Sequence, residues 1–108
     1  MTAILRKSEA KEPFSFIFVN GDKTIVKSEN YAQKASAKNG IESVKKNSQV
    51  EGRYELKESS NGKFYFNLKA SNGQVVGTSS MFASAGDRDA AIATLKSDAP
   101  GAIVEDNA

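Results

Sequence analysis

Two stretches decide the fold: Tyr31–Lys45, YAQKASAKNGIESVK, and Phe82–Lys96, FASAGDRDAAIATLK. Laid over one another at an offset of 51 without a gap, they match Tyr31 to Phe82, Ala32 to Ala83, Ile41 to Ile92, Val44 to Leu95 and Lys45 to Lys96. Upstream, Phe14-Ser-Phe-Ile-Phe18 lies over Phe64-Tyr-Phe-Asn-Leu68 at an offset of 50, and Asn20-Gly21 corresponds to Asn72-Gly73 after a small register shift. Self-similarity at a fixed spacing marks a duplication, here of a unit of about 50 residues. A unit of that size cannot bury a comfortable core alone. The chain of 108 residues is therefore read as a single domain of two repeats, about 2–51 and about 52–106, packed around one core.

Each unit changes period from two to 3.6. Phe14, Phe16 and Phe18 alternate with Ser15 and Ile17, and Phe64, Phe66 and Leu68 alternate with Tyr65 and Asn67, the pattern of half-buried strands. Tyr54 and Leu56 alternate with Glu55 and Lys57 in a preceding strand, and Ser59-Ser60-Asn61-Gly62 between the two reads as a hairpin turn. Asn72-Gly73 leads to a third strand, Gln74–Thr78; the first unit's counterparts are Ala3–Leu5 and Thr24–Lys27. A helix follows each triplet. Ala37, Ile41 and Val44 fall on one face of the first, with Glu42 spaced to pair with Lys46. The second has Ser84 as its N-cap, Asp87 in its first turn and a buried stripe of Ala91, Ile92 and Leu95. Gly40 stands where the second unit has Ala91, so the first helix is expected to approach the sheet closely there; Arg88, replacing Ala37, is expected to snorkel outward or pair with an acid. Ala102–Glu105 after Pro100-Gly101 reads as a closing strand, with Gln49–Glu51 holding that place in the first unit. The string is β-β-β-α-β twice. It predicts an α+β fold: a single largely antiparallel sheet with two helices on one face.

Composition removes most chemistry. Cysteine, histidine and tryptophan are absent, which excludes disulfides, thiolate nucleophiles, imidazole bases and the usual zinc and haem ligands. Fifteen Lys and Arg face thirteen Asp and Glu, spread over the whole length, with no basic run of the kind a dedicated nucleic-acid or membrane binder carries. No window approaches the roughly 18 apolar residues of a membrane span, and the N-terminal apolar stretch breaks after three residues. A cytoplasmic bacterial monomer without cofactor or metal is the expectation.

Leu68-Lys-Ala-Ser-Asn-Gly73, Ser28-Glu-Asn-Tyr31 and Lys38-Asn-Gly-Ile-Glu-Ser-Val-Lys-Lys46 together resemble the YegP family of small uncharacterised bacterial proteins, over nearly the whole chain and in both copies. The resemblance implies tandem copies of a β3-α-β motif in a single sheet, with the last strand of each unit exchanged into the other. One segment from Gln49 to Leu56 would then serve both halves. It carries over no activity and no functional residues. The chain departs from the family pattern at Gln33, where a Ser or Thr cap is usual, and at Ala85–Asp89, which replaces a lysine–alanine start.

Three function classes are open to such a chain. For an enzyme, Ser79 and Ser80 could be nucleophiles activated only by lysine, and Glu51, Glu55 and Glu58 are flanked by Arg53 and Lys57; these read as turn residues and alternating surface charge, and no phosphate-binding loop occurs. The expectation is no enzyme. For single-stranded nucleic acid, the open sheet face would present Tyr65, Asn67, Lys69 and Lys57, with Glu55 adjacent: an aromatic for stacking and lysines for phosphate. For a protein partner, Leu5, Ile17, Val19 and Tyr65 would form an apolar strip on that face, or an exposed edge strand would accept a partner strand. A small non-enzymatic binding or protein-interaction module is the leading reading, nucleic-acid binding the alternative, and an undetected enzyme activity the second alternative.

Overall fold

The computed structural model describes residues 1–108. Its elements are β1 (Thr2–Lys7), β2 (Phe14–Asn20), β3 (Lys23–Lys27), α1 (Lys34–Asn47), a 3-10 turn (Glu51–Arg53), β4 (Tyr54–Glu58), β5 (Phe64–Lys69), β6 (Val75–Ser79), α2 (Ala85–Asp98), a second 3-10 turn (Ala99–Gly101) and β7 (Ile103–Asn107). All seven strands join one sheet in the order β4-β5-β6-β3-β2-β1-β7. Every pairing is antiparallel except β1 with β7. Both helices lie on the face formed by Phe16, Phe18, Phe66 and Leu68, all fully buried, so the fold is α+β with a single core. Burial of each such side chain stabilises the fold by about 1.5–3 kcal/mol.

The duplication is visible in the hydrogen bonds. Phe14 exchanges both backbone bonds with Tyr31, at 3.0 and 2.6 Å, and Phe64 does the same with Phe82, at 2.9 and 2.7 Å. The Phe16 amide donates to Ser28 Oγ at 2.8 Å; the Phe66 amide donates to Ser79 Oγ at 2.9 Å. The repeats meet at the β3·β6 seam, through Val26 opposite Ser79 and Lys27 opposite Thr78. Gly62 and Gly73 take the positive φ of 79° and 83° that their Asn-Gly turns require.

Ala37, Gly40, Ile41 and Val44 form the buried face of α1. A Cβ at Gly40 would lie 2.7 Å from the Tyr31 hydroxyl and 2.8 Å from Phe16 Cε2, so the helix does approach the sheet closely there. At the matching point of α2 the ring is Phe82, which has no hydroxyl, and Ala91 is accommodated. Ser84 caps α2 by accepting from the Asp87 amide at 3.1 Å, whereas Gln33 makes no side-chain cap. Arg88 lies against the Phe64 ring, 5.6 Å from its centroid, and donates to Asp89 at 3.2 Å. Glu42 pairs with Lys45 at 3.9 Å, not with Lys46 as its spacing suggested.

Two expectations are corrected. Gln49–Glu51 is not a strand: the chain passes from α1 through a turn into the 3-10 turn and then β4. A parallel strand beside β4 would need a crossover of a dozen or more residues before β4 could begin, and the chain supplies only the six residues from Ser48 to Arg53. Exchange of the last strand therefore happens once, through β7, and no segment serves both halves. Leu5 is also misplaced by the sequence reading. It lies opposite Phe16 on the helix-covered face and is fully buried, while Ile4, opposite Ile17, is the β1 residue on the open face.

Candidate functional site

The single exchange leaves the two ends of the sheet unequal. β1 has β2 on one side and β7 on the other; β4 has only β5. Leu5 and Leu56 are equivalent positions, opposite Phe16 and Phe66. Leu5 is 0% exposed and Leu56 is 53% exposed. Between the bare edge of β4 and α2 runs a groove of about 540 Å³, lined by Tyr54 and Leu56 from the strand and by Asp89, Ile92, Ala93 and Lys96 from the helix. The corresponding space in the first repeat, between β1 and α1, is where β7 lies, with Val104 against Lys38, Asn39 and Ile41.

The edge also carries unused backbone groups. At the β4–β5 turn the Ser59 amide donates to the Lys63 carbonyl at 2.7 Å, and the alternation of an antiparallel ladder then turns the Leu56 and Glu58 amides away from β5. By the same alternation the Leu5 amide points at β7. Tyr54 closes the inner wall of the groove. Its hydroxyl donates to the Ser48 carbonyl at 2.8 Å, its ring meets Phe66 edge-on at 5.5 Å, and burial, with Glu51 nearby, raises its pKa above the usual tyrosine value. Lys96 sits 5.5 Å above that ring and pairs with Glu51 at 2.7 Å.

On the opposite face, Asn67, Lys69 and Lys57 converge on Glu55, and Tyr65 lies opposite Lys57 on the same face. Lys69 pairs with Glu55 at 2.8 Å, Lys57 approaches it at 3.9 Å, and Asn67 donates to it at 3.0 Å while accepting from Thr78 Oγ1 at 2.8 Å. The lysine and asparagine bonds hold the Glu55 carboxyl below its ordinary pKa. Both lysines of the group are thus directed at a carboxylate in the same plane. The apolar strip expected on this face is not continuous: Leu5 is on the other side, and β5, carrying Tyr65, is three strands from β2, carrying Ile17 and Val19, a separation of about 14 Å. Ser79 and Ser80 serve the backbone: Ser79 Oγ donates to the Ser80 carbonyl at 2.8 Å, and Ser80 Oγ donates to the Thr24 carbonyl at 2.6 Å across the seam. Glu51, Glu55 and Glu58 do not converge, since each is taken up or exposed at a different place.

The sequence reading named an edge strand but not which one. Its signal was the alignment of Leu5 with Leu56, together with the short run between Asn47 and Tyr54 that leaves no residues for a closing strand.

These features define a class: a duplicated β-β-β-α unit in one mixed sheet, with the final strand lent to the first repeat. The chain belongs to the family described as Domain of unknown function (DUF1508), whose profile matches twice in tandem, over residues 14–55 and 59–106. It is 50% identical over 95 residues to the UPF0339 protein YegP of Escherichia coli K12, covering 87% of this chain and 86% of that protein, and 47% identical over 93 residues to the UPF0339 protein PA0329 of Pseudomonas aeruginosa, covering 86% and 84%. Two solution NMR structures are similar. The UPF0339 protein SO3888 of Shewanella oneidensis aligns at TM-score 0.90 with 39% identity over 97% of this chain and 89% of that one; YegP of E. coli, a protein of unknown function, aligns at 0.89 with 46% identity over 98% and 91%. No helix is long and apolar enough to cross a membrane.

Proposed function

We propose that this chain is a non-enzymatic interaction module that takes up an extended segment of a protein partner by strand addition along β4, over the groove to α2. The observation that carries the reading is the difference between Leu5 and Leu56, the same residue at equivalent positions, 0% and 53% exposed. The repeat itself supplies the precedent, because β7 completes the β1 side in the way a partner strand would complete the β4 side. An edge with free amides over an apolar groove binds through main-chain hydrogen bonds and selects through side-chain pockets. Commitment of the Ser79 and Ser80 hydroxyls to backbone carbonyls supports a role without catalysis. The reading is of a cytoplasmic protein that acts as a monomer, its halves already joined through β7.

The test is a selection of displayed random 12-residue peptides on the whole chain, with counter-selection on the Leu56→Arg variant; Leu56 is 53% exposed, and an amide spectrum matching the parent's away from β4 is the check that the variant is folded. Peptides held by the parent and lost by the variant, with amide shifts on Tyr54–Glu58 and the outer face of α2, are expected. Recovery of nothing above background overturns the reading. So does a short mixed-sequence single-stranded RNA whose salt-sensitive shifts centre on Tyr65, Asn67 and Lys69.

A further inference from the structure

The chemistry of the incoming strand can be read from β7, on the basis of the strand-addition reading above. β7 runs parallel to β1 with Val104 opposite Ala3 and Asp106 opposite Leu5, both on the helix-covered face. Asp106 ends in a basic surround: Lys34 Nζ lies 2.8 Å away and Lys38 acts on it from the next turn of α1, while Lys7, the last residue of β1 on that face, extends over the Phe14 ring at 5.7 Å.

The second repeat reverses this surround. At the offset of 51, Lys7, Lys34 and Lys38 become Glu58, Ala85 and Asp89. Two anions and a neutral residue stand where three cations stood, and Arg88, in the place of Ala37, lies over the Phe64 ring as Lys7 lies over Phe14, so this end of the slot passes from three positive charges to a net of one negative. Asp89 is 61% exposed on its side chain and forms an ion pair with Arg88, its sequence neighbour, at 3.2 Å. At the other end Lys96 and Glu51 neutralise one another at 2.7 Å. A segment as acidic as β7 would therefore meet like charge here, and β7 of a second copy, carrying Glu105 and Asp106, is disfavoured.

We infer that the segment accepted by β4 runs parallel to it and carries an aliphatic residue opposite Tyr54 followed, two residues on, by lysine or arginine opposite Leu56. The aliphatic group would lie on Ile92 and Ala93 as Val104 lies on Ile41. The basic group would sit between Asp89 and Glu58.

Two synthetic peptides spanning Ala102–Ala108 test this, one with the chain's own sequence and one with Asp106→Lys, each titrated into the whole ¹⁵N-labelled protein. The Asp106→Lys peptide is expected to shift Tyr54–Glu58 and Asp89–Lys96 with a Kd lower than that of the native peptide by about five-fold at low salt. Asp89→Lys in the protein should erase or reverse that preference. A spin label on the C-terminus of the peptide should broaden Glu58 rather than Tyr54. Equal affinities for the two peptides, or broadening at Tyr54, overturn the assignment of charge or direction while leaving strand addition in place. Failure of both peptides to move β4 at several millimolar, or shifts confined to β1, overturns strand addition itself.

Discussion

Leu5 and Leu56 occupy the same place in the two repeats, each opposite a buried phenylalanine, Phe16 or Phe66, yet one is enclosed and the other half in water. The side chains are identical, their cross-strand neighbours are both phenylalanine, and each lies under a helix that presents an isoleucine at the same position, Ile41 or Ile92. What differs is the flanking strand. The pair is therefore an internal control, within one molecule, for what β7 contributes.

The same substitution at the two positions should have different consequences. Leu5→Ala removes a fully buried side chain and should cost about 2–5 kcal/mol. Leu56→Ala should cost about 1 kcal/mol or less, because half of that side chain is already hydrated. Urea midpoints at constant m-value measure both, and equal losses would show that Leu56 is covered in solution.

Gly40 and Tyr31 form a coupled pair. Gly40→Ala gains about 1 kcal/mol of helix propensity but sets a methyl group against the Tyr31 hydroxyl and Phe16. Overpacking of this kind costs about 1–3 kcal/mol, so a net loss of stability is expected. Tyr31→Phe introduces the Phe82 arrangement of the second repeat, and the double variant should be more stable than the sum of the two single changes. A double-mutant cycle by denaturant unfolding measures the coupling.

Ser28 and Ser79 each accept a backbone amide, from Phe16 and Phe66. Ser79 is buried and Ser28 is half-buried. Ser79→Ala leaves a buried donor unpaired and should cost about 1–3 kcal/mol, more than Ser28→Ala, where water can replace the hydroxyl. Thermal or urea unfolding of the two variants ranks them, and the order should not invert.

The pH response has two limbs. The Asp106 carboxyl is held below its ordinary value by the Lys34 bond and by the Ala108 amide, so its folded pKa is depressed. Its contribution is present above the ordinary aspartate range and is lost as pH falls through the folded value. Carbon-detected titration should place the Asp106 transition below 3.8, and Lys34→Met should move it back toward that ordinary value. Tyr54 behaves in the opposite sense. Its pKa is raised by burial and by Glu51, so its contribution is intact below 10.0 and is lost as pH rises above that value. Stability should fall on the alkaline side, and Tyr54→Phe should remove much of that fall.

The aromatic strands and both helices are legible because each extends over five or more residues in a fixed period, and the Asn-Gly turns because that dipeptide favours positive φ. Three residues, Ala3–Leu5, are too few to phase a strand, so alternation alone does not fix which face Leu5 takes; the six paired residues Thr2–Lys7 set it on the helix-covered face. Tyr65, Asn67, Lys69 and Lys57 share one face of the β4–β5 pair as alternation implies, with Glu55 adjacent, but the ion pairs that direct both lysines at Glu55 are cross-strand relationships that no local pattern displays. The groove beside β4 was the hardest to see. It depends on which strand lies beyond the edge, a property of topology, and in the sequence it registers only as six residues between α1 and β4 where a closing strand would need more.

The most direct test of an uncovered β4 edge is native-state amide exchange at Leu5 and Leu56, whose N–H groups both point away from the neighbouring hairpin strand. Strong protection is expected at Leu5, exchange near the exposed rate at Leu56, and slowing at Leu56 but not at Leu5 when the Asp106→Lys peptide is added. Protection at Leu56 equal to that at Leu5 in the free protein would contradict it.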